Sequence, residues 1–367
     1  MRNFLLTAGV KILQFIYFFI KLLPRRRKVT MISRQYDDPS VDFVLLSKRL
    51  KQVYPEYKIV ILSRKLTPSF SYAKHIFRQM YHIATSKVVL LDSYCIPISV
   101  LNHKKNLKVI QMWHSMGVMK AFGYAMIGKE EGNDADVARI LKMHNNYDYV
   151  LISSMSYVSA YEDGFHVDPS VVREIPLPKT DLLIDREYMD TVRELVLSQN
   201  PELRSKKNIV YCPTFRVHES DLDYRKINEL INSIDYSKYN LIYKAHPVSK
   251  IEIEEDRVIT NIKDNISAVA VADYVISDYS SVIYEFGLAD RPVFLYGYDW
   301  NNYQDKRVLE IDPSTEIPAF FSDDAGSVLE AIKQERFDHK AFNLFTKENI
   351  RLPRYSCVDT IIELMRL

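Results

Sequence analysis

His114, Lys244, His246, Ser280 and Ser281 are the residues whose types and placing suit chemistry on a phosphorylated ligand. An imidazole with an ordinary pKa of about 6.5 can take a proton from a hydroxyl near neutral pH. Cationic side chains, here Lys244 and Arg216, supply positive charge to a diphosphate. Hydroxyls beside the free N–H groups of a helix start form a ready anion site. The stretch 273–290, DYVISDYSSVIYEFGLAD, has that last form. Its strand core is Tyr274, Val275 and Ile276, and Asp278, Ser280 and Ser281 are capping candidates. Val282, Ile283, Phe286 and Ala289 then recur on one side of a helix. An ordinary capped helix carries the same signature, so what stands beside it matters.

Several clusters share one kind of position. His114, Thr214 with Arg216, His246, and Asp278 with Ser280 and Ser281 each lie just past the carboxyl end of a predicted strand. Open α/β sheets bind ligands at that edge. A histidine taken alone is more often a core or surface residue; the joint placement is what points to a site. His144, His166, His218 and His339 lack that setting and are read as structural.

The elements that must position these groups alternate along the chain. Strands are predicted at 29–33, 58–63, 87–92, 107–113, 148–153 and 171–175, with helices at 41–53 and 71–86. PKTD at 178–181 closes this set, and a polar, proline-bearing stretch at 198–207 precedes a second one. Its strands fall at 208–212, 240–244, 273–277 and 292–296. Repeated βα alternation predicts a mostly parallel sheet covered by helices in each of two α/β domains. The expected boundaries are 1–27 for an N-terminal helix, 28–190 and 191–350 for the domains, and 351–367 for a C-terminal helix.

With 367 residues, 47% hydrophobic and 26% charged, the chain has globular values and room for two cores. A net charge of +2 gives no global electrostatic case for nucleic acid. Nine glycines against 25 tyrosines mark an aromatic-rich chain. Cys95, Cys212 and Cys357 are isolated and odd in number, so they offer neither metal spacing nor a disulfide framework. They fit core packing on a reducing, cytosolic side. Nothing calls for a metal or another cofactor.

Residues 4–23 are apolar but interrupted by Lys11, Gln14 and Lys21, and they end in PRRRK at 24–28. At 100° per residue, Asn3, Thr7, Lys11, Gln14 and Lys21 fall in one narrow arc. A spanning helix needs about 20 residues without such charges. The pattern predicts a helix lying in the membrane interface, with Arg25 to Lys28 drawn to anionic headgroups. A spanning or domain-packing helix is the alternative.

At this point the motifs carry a family resemblance. QMWHSMGVMKAFG from Gln111, YCPTFR from Tyr211, YKAHP from Tyr243, SDYSSVIYEF from Ser277 and RPVFLYGYD from Arg291 resemble the motif series of the CDP-glycerol glycerophosphotransferases of wall teichoic acid synthesis. Order and spacing agree from about 107 to 310, over half the chain. The resemblance implies a GT-B fold: two Rossmann-like domains with an interdomain cleft, CDP-glycerol being held mainly by the second. It implies His114 as catalytic base and His246 as its partner at the phosphates, with no metal. The donor-binding set it implies is Ser115, Met116, Gly117, Val118, Lys179, Pro213, Thr214, Arg216, Lys244, Ala245, Ser277, Asp278, Tyr279, Ser280, Ser281, Val282 and Asp305. Lys179 stands where the family usually has arginine, and Asp305 resembles an acidic position after its YD segment.

Polymerising members usually show WHGTPLK where this chain has WHSMGVMK. The short chain and amphipathic N-terminus resemble the primase subgroup, which adds the first glycerol phosphate to an undecaprenyl-diphosphate-linked GlcNAc–ManNAc disaccharide, releasing CMP. The implied location is peripheral, on the cytoplasmic face of the cell membrane. Rival readings are a poly(glycerol phosphate) polymerase, another sugar-nucleotide GT-B transferase, and a non-catalytic membrane scaffold. A homo-oligomer is left open.

Overall fold

Among the described residues the strands run in two parallel sheets of six, as strands joined by helical or long crossovers do. The computed structural model describes residues 1–67, 70–216, 219–246 and 249–367, without the side chains of Phe70 and Asp305. It divides into two compact units: Met1–Ser115 with Ala121–Lys179 and Arg351–Leu367, and Met116–Lys120 with Thr180–Ile350.

In the first unit the strands are β1 (Lys28–Ser33), β2 (Lys58–Ser63), β3 (Val88–Leu91), β4 (Lys108–Gln111), β5 (Tyr149–Ile152) and β6 (Val172–Glu174). Their order is β2-β1-β3-β4-β5-β6, with every pairing parallel. The innermost strands read as unbroken apolar runs, VVLL in β3 above all, since helices cover both faces. The chain moves outward from β1 to β2, then returns so that β3 lies on the other side of β1. That reversal, between β1 and β3, is a topological switch point.

The second unit holds β7 (Lys207–Cys212), β8 (Tyr239–Tyr243), β9 (Val258–Ile259), β10 (Tyr274–Ser277), β11 (Val293–Tyr296) and β12 (Phe320–Ser322). Their order, β12-β11-β10-β7-β8-β9, is that of a Rossmann sheet, with its switch point between β7 and β10. Ile209, Leu241, Ile276 and Phe294 from the strands meet Ile227 and Ile231 of the helix Asp221–Ser233 and Val328 of the helix Ala325–Lys333. The helix Asp221–Ser233 starts with a capping box, Ser220 and Asp223 satisfying each other's backbone N–H groups.

The units divide at 179/180 rather than at the expected 190/191. Residue 190 lies inside the helix Arg186–Gln199, whose Met189, Val196 and Leu197 are buried and which packs on the helix Asn265–Val271 of the second unit. Residues 351–367 return to the first unit. There the helix Cys357–Met365 buries Val358, Ile361, Ile362 and Met365 and packs against the helix Val41–Val53. Its surface pair, Arg49 with Asp359 at 2.7 Å, adds little beside that apolar burial.

The N-terminal helix, Arg2–Ile20, is not detached from the first unit. Val10 and Tyr17 enter its main core with Leu13, Ile16 and Ile20 packed alongside. Part of the polar arc contacts the first unit, while Thr7 and Lys11 stay exposed. Asn3 donates to Asp136 at 2.8 Å, Gln14 to the Val100 carbonyl at 2.9 Å and Lys21 to the Asn102 carbonyl at 3.0 Å. Backbone carbonyls at the end of the helix Ile96–Val100 need donors, and the arc supplies them. The exposed surface is mostly apolar, Phe4, Ile12, Phe15, Phe18, Phe19 and Leu22, with Thr7 and Lys11 also exposed. By length and composition the helix could cross a membrane. The basic run is shorter than expected as well, because Lys28 is buried at the start of β1, where burial lowers its pKa to about 8.

Candidate functional site

Parallel pairing places the carboxyl ends of β7, β8, β10 and β11 along one edge of the second sheet, so their following loops gather there. At its switch point the Thr214 N–H donates to Asp278 Oδ1 at 2.8 Å, and the Tyr279 N–H donates to the same oxygen at 2.7 Å. Asp278 is fully buried. Its other oxygen accepts from Arg216 Nη2 at 3.1 Å. Arg216 Nε and Nη2 reach the two carboxylate oxygens of Asp299 at 2.7 and 2.8 Å, and Nε lies 3.2 Å from Asp223 Oδ1. The guanidinium also lies 4.6 Å over the Tyr298 ring. Arg216 therefore neutralises three carboxylates and ties three loops together. Its charge is directed inward, not toward a diphosphate as expected.

A pair of cations, Lys120 and the buried Lys244, flanks His246. Burial, then the ammonium groups of Lys244 and Lys120, push the His246 pKa down to about 4, although the ring keeps an exposed face. At neutral pH His246 is thus a neutral N–H donor beside two cations. Its ring stacks on Phe215 at 5.4 Å. Lys120 Nζ lies 3.4 Å from the Thr214 hydroxyl and 5.4 Å over the Tyr303 ring. The segment carrying it is held to this unit by Lys120 pairing with Leu309 and by the Glu310 N–H donating to the Met119 carbonyl at 3.1 Å. Within that segment Met116 and Val118 are buried. Gly117, at φ +60°, brings its backbone so close to Tyr284 that an added Cβ would stand 2.5 Å from the ring.

The helix after β10 runs Val282–Leu288; Ser281 is its N-cap without a side-chain cap bond, while the Val282 N–H donates to the Ser280 hydroxyl oxygen at 3.4 Å. It buries Tyr284 and Glu285 besides Val282, Ile283 and Phe286, so it is enclosed rather than one-sided. Ser280 and Ser281 are half-buried at its start. Ser277 is committed elsewhere, its hydroxyl donating to the Cys212 carbonyl at 2.8 Å inside the sheet. Tyr279 is buried against Tyr303, its hydroxyl on Asp299. Pro213 lines a hollow with Phe215 and His246, and Ala245 packs on the core. Asp305 lies on the helix Trp300–Lys306; its side chain, like Pro247 and His218, is outside the described residues.

In the first unit His114 stands beyond β4 on a turn made by Trp113, which adopts a left-handed φ of 58°. The Trp113 N–H is held by Gln111 Oε1 at 2.9 Å, and its ring lies 4.3 Å from the His114 ring. His114 Nδ1 lies 2.9 Å from the backbone carbonyl of Asp92. A carbonyl can only accept, so this contact is a hydrogen bond in the tautomer with the proton on Nδ1 and the lone pair on Nε2, whereas the Gln35 amide nitrogen, a donor, meets Nδ1 in the other tautomer. The Gln35 side-chain amide is 3.2 Å from the same Nδ1. Asp92, at the end of β3, is buried, which raises its carboxyl to about 6 against the hydrogen bonds of Ser33 and Ser93. Ser115 follows His114 in this unit, and the Lys179 N–H donates to Asp42 at 2.8 Å. His144 is stacked on Phe165 at 4.0 Å, and burial drives its pKa down to about 3. His166 ends the helix Val158–Phe165 against Tyr124, and exposed His339 meets Asp290, as structural residues would.

The structure thus gathers Thr214, Arg216, Lys244, His246, Asp278, Tyr279, Ser280 and Ser281 at one sheet edge, and His114 with Ser115 at the edge of the other sheet. Sequence reasoning passed over Arg34, Gln35, Asp92, Lys120 and Asp299. Four of them follow β1, β3 or β11, so the strand-end rule that selected His246 could have selected them.

Two doubly wound parallel sheets, with His114 beyond β4 and Lys244 and His246 beyond β8 at their carboxyl edges, define an α/β protein of the ligand-binding, Rossmann-like class. The family model described as CDP-Glycerol:Poly(glycerophosphate) glycerophosphotransferase matches residues 15–352, and the chain belongs to that family; it is a CDP-glycerol glycerophosphotransferase of teichoic acid synthesis by class. It is 31% identical over 334 residues to the teichoic acid ribitol-phosphate primase of Bacillus spizizenii (strain W23), covering 87% of this chain and 85% of the relative. It is 28% identical over 371 residues to the teichoic acid glycerol-phosphate primase of Bacillus subtilis (strain 168), covering 94% and 93%. The wall teichoic acid polymerase TagF shares the fold, with a TM-score of 0.73 at 18% identity over 100% of this chain and 96% of that one.

Proposed function

We propose that this enzyme is a primase: it transfers one glycerol phosphate from CDP-glycerol to a hydroxyl of a polyprenyl-diphosphate-linked GlcNAc–ManNAc disaccharide and releases CMP. The observation that carries the reading is the placement of His114 beyond β4, its Nδ1 2.9 Å from the Asp92 carbonyl; in the tautomer that bond selects, the lone pair on Nε2 is the base. His114 removes the proton as the acceptor oxygen attacks the β-phosphorus; the P–O bond to the CMP oxygen breaks as the new P–O bond forms. Lys120, Lys244 and the neutral N–H of His246 stabilise charge on the diphosphate, with Ser280 and Ser281 donating to its oxygens. Arg216 and Asp278 act as positioning residues for those loops. The finer reading of the fold is GT-B: the second unit holds the donor, the first holds the acceptor, and transfer takes place at the cleft between them. The outward apolar residues of the helix Arg2–Ile20, with Arg25–Arg27, support a peripheral location on the cytoplasmic face of a membrane.

A second reading, CDP-ribitol as donor, is favoured by the 31% identity to a ribitol-phosphate primase. The two donors differ only in polyol length, which none of the diphosphate-binding groups measures. The test gives the enzyme the lipid disaccharide with each donor in turn and weighs the product. One glycerol phosphate per acceptor is the expected result. A long polymer makes it a polymerase, transfer from CDP-ribitol alone makes it a ribitol enzyme, and no transfer from either overturns the proposal.

A further inference from the structure

The switch point of the first unit carries an arginine used quite differently from Arg216. Arg34 follows β1, and its backbone N–H crosses the reversal to donate to Ser93 Oγ, beyond β3, at 3.1 Å. Its half-buried guanidinium lies 5.0 Å over the Tyr94 ring and, among the described residues, is in no ion pair. It lines a small hollow of about 10 Å³ with Ser93, Tyr94, Ile76 and Ile96, too small to enclose a diphosphate, which would therefore lie at its mouth against the guanidinium. Those two isoleucines also wall a second, apolar groove of about 410 Å³ against Leu6, Val10 and Leu13 of the N-terminal helix. That volume lies within the roughly 300–1,000 Å³ of small-molecule sites. Gly9 opens into it: a Cβ there would meet nothing within 4 Å. At the other end, Gln35, the residue after Arg34, touches His114 Nδ1.

We infer that these two hollows form one binding site for an isoprenoid diphosphate, the hydrocarbon lying in the groove along the N-terminal helix and the diphosphate on Arg34. The inference rests on the lipid-linked acceptor of the proposed function and names where its lipid end is held. Along the unit the order is apolar groove, unpaired guanidinium, then base, and a polyprenyl-diphosphate sugar has the same order of parts. A planar guanidinium pinned on an aromatic face presents its N–H fork to phosphate oxygens with little ordering left to do. Oxygen-rich or cationic ligands gain nothing in a groove lined by leucine, valine and isoleucine.

The test is binding of labelled farnesyl diphosphate to the full chain by equilibrium dialysis. Arg34→Gln should weaken it about 10- to 100-fold, the worth of a charged hydrogen-bonded contact. Gly9→Leu, which fills the groove without a clash, should weaken farnesyl diphosphate while leaving inorganic diphosphate bound as before. Farnesol should bind far more weakly than the diphosphate, and phosphatidylglycerol should not displace it. Wild-type affinity in both variants overturns the inference, and so does equal displacement by phosphatidylglycerol, which would make the groove a seat for bilayer lipid. If Arg34→Gln does not fold, Arg34→Lys keeps the charge, loses the fork and should show a smaller loss of the same kind. Binding as predicted with no transfer from CDP-glycerol would sink the proposed donor and leave this site standing; transfer without such binding would do the reverse.

Discussion

Arg34 and Arg216 each sit two or fewer strands from the centre of a parallel sheet, each just past a strand that borders a switch point. In each unit a backbone N–H crosses the reversal to a side-chain oxygen: Arg34 to Ser93, Thr214 to Asp278. The surroundings then part. Asp278, Asp299 and Asp223 enclose Arg216, so its charge is spent on fastening loops. Around Arg34 stand Tyr94, Ser93 and aliphatic side chains, so its charge is left for a ligand. One topology thus offers the same place to a fastener and to a contact, and the number of carboxylates nearby decides which. In the proposed function the charge for the donor comes instead from Lys120 and Lys244, which flank His246.

The largest expected effect separates the two arginines by stability. Arg216→Gln leaves buried carboxylates unpaired and should cost about 3–5 kcal/mol of unfolding free energy. Arg34→Gln, on a half-buried and unpaired side chain, should cost about 1 kcal/mol or less. Urea unfolding of both variants measures this, and equal losses would erase the distinction.

A smaller effect concerns His246. A diphosphate bound beside Lys120 and Lys244 offsets their charge, so the His246 pKa should rise from about 4 toward the ordinary histidine range when CDP-glycerol is added. Histidine side-chain NMR titrations with and without donor would show it. An unmoved pKa places the diphosphate elsewhere.

The mildest is acid lability, and it belongs mostly to the first unit. Burial lowers the pKa of His82 and His103 to about 4 and of His144 to about 3. Unfolded, these rings take protons near 6.5, so their contribution is complete above that pH and is lost as pH falls toward 4 and 3. Asp92, raised to about 6, works the other way and regains stability as it protonates below 6. With His75 and His246 lowered as well, five histidines against one carboxyl predict a urea midpoint that falls between pH 6.5 and 4.5; a flat or rising midpoint contradicts this.

Much of this was legible in the sequence because β3, β7, β8 and β10 are buried on both faces and read as plain apolar runs. β9 and β12, of two and three residues, carry too little pattern to be seen. Site residues were legible by position but not by partner. Arg216 looks as available as Lys244 in a string of letters; only packing brings Asp223 and Asp299, 7 and 83 residues away, onto it. The N-terminal helix was legible as an apolar helix with a polar arc, but not in the contacts that arc makes. Its polar arc marks the face that differs from the rest, and periodicity does not say whether that face meets water, headgroups or the carbonyls of residues 98–106.

The central claim is a division of labour, in which the first unit supplies the base and the second binds the donor. Its most direct test is His114→Ala, with turnover and CDP-glycerol affinity measured on the same preparation. Turnover should fall about 10²- to 10⁴-fold, the usual worth of a general base, while donor affinity stays within about twofold of wild type. Near-normal turnover would remove His114 from the chemistry, and a donor affinity that collapsed with the turnover would place the donor on the wrong unit.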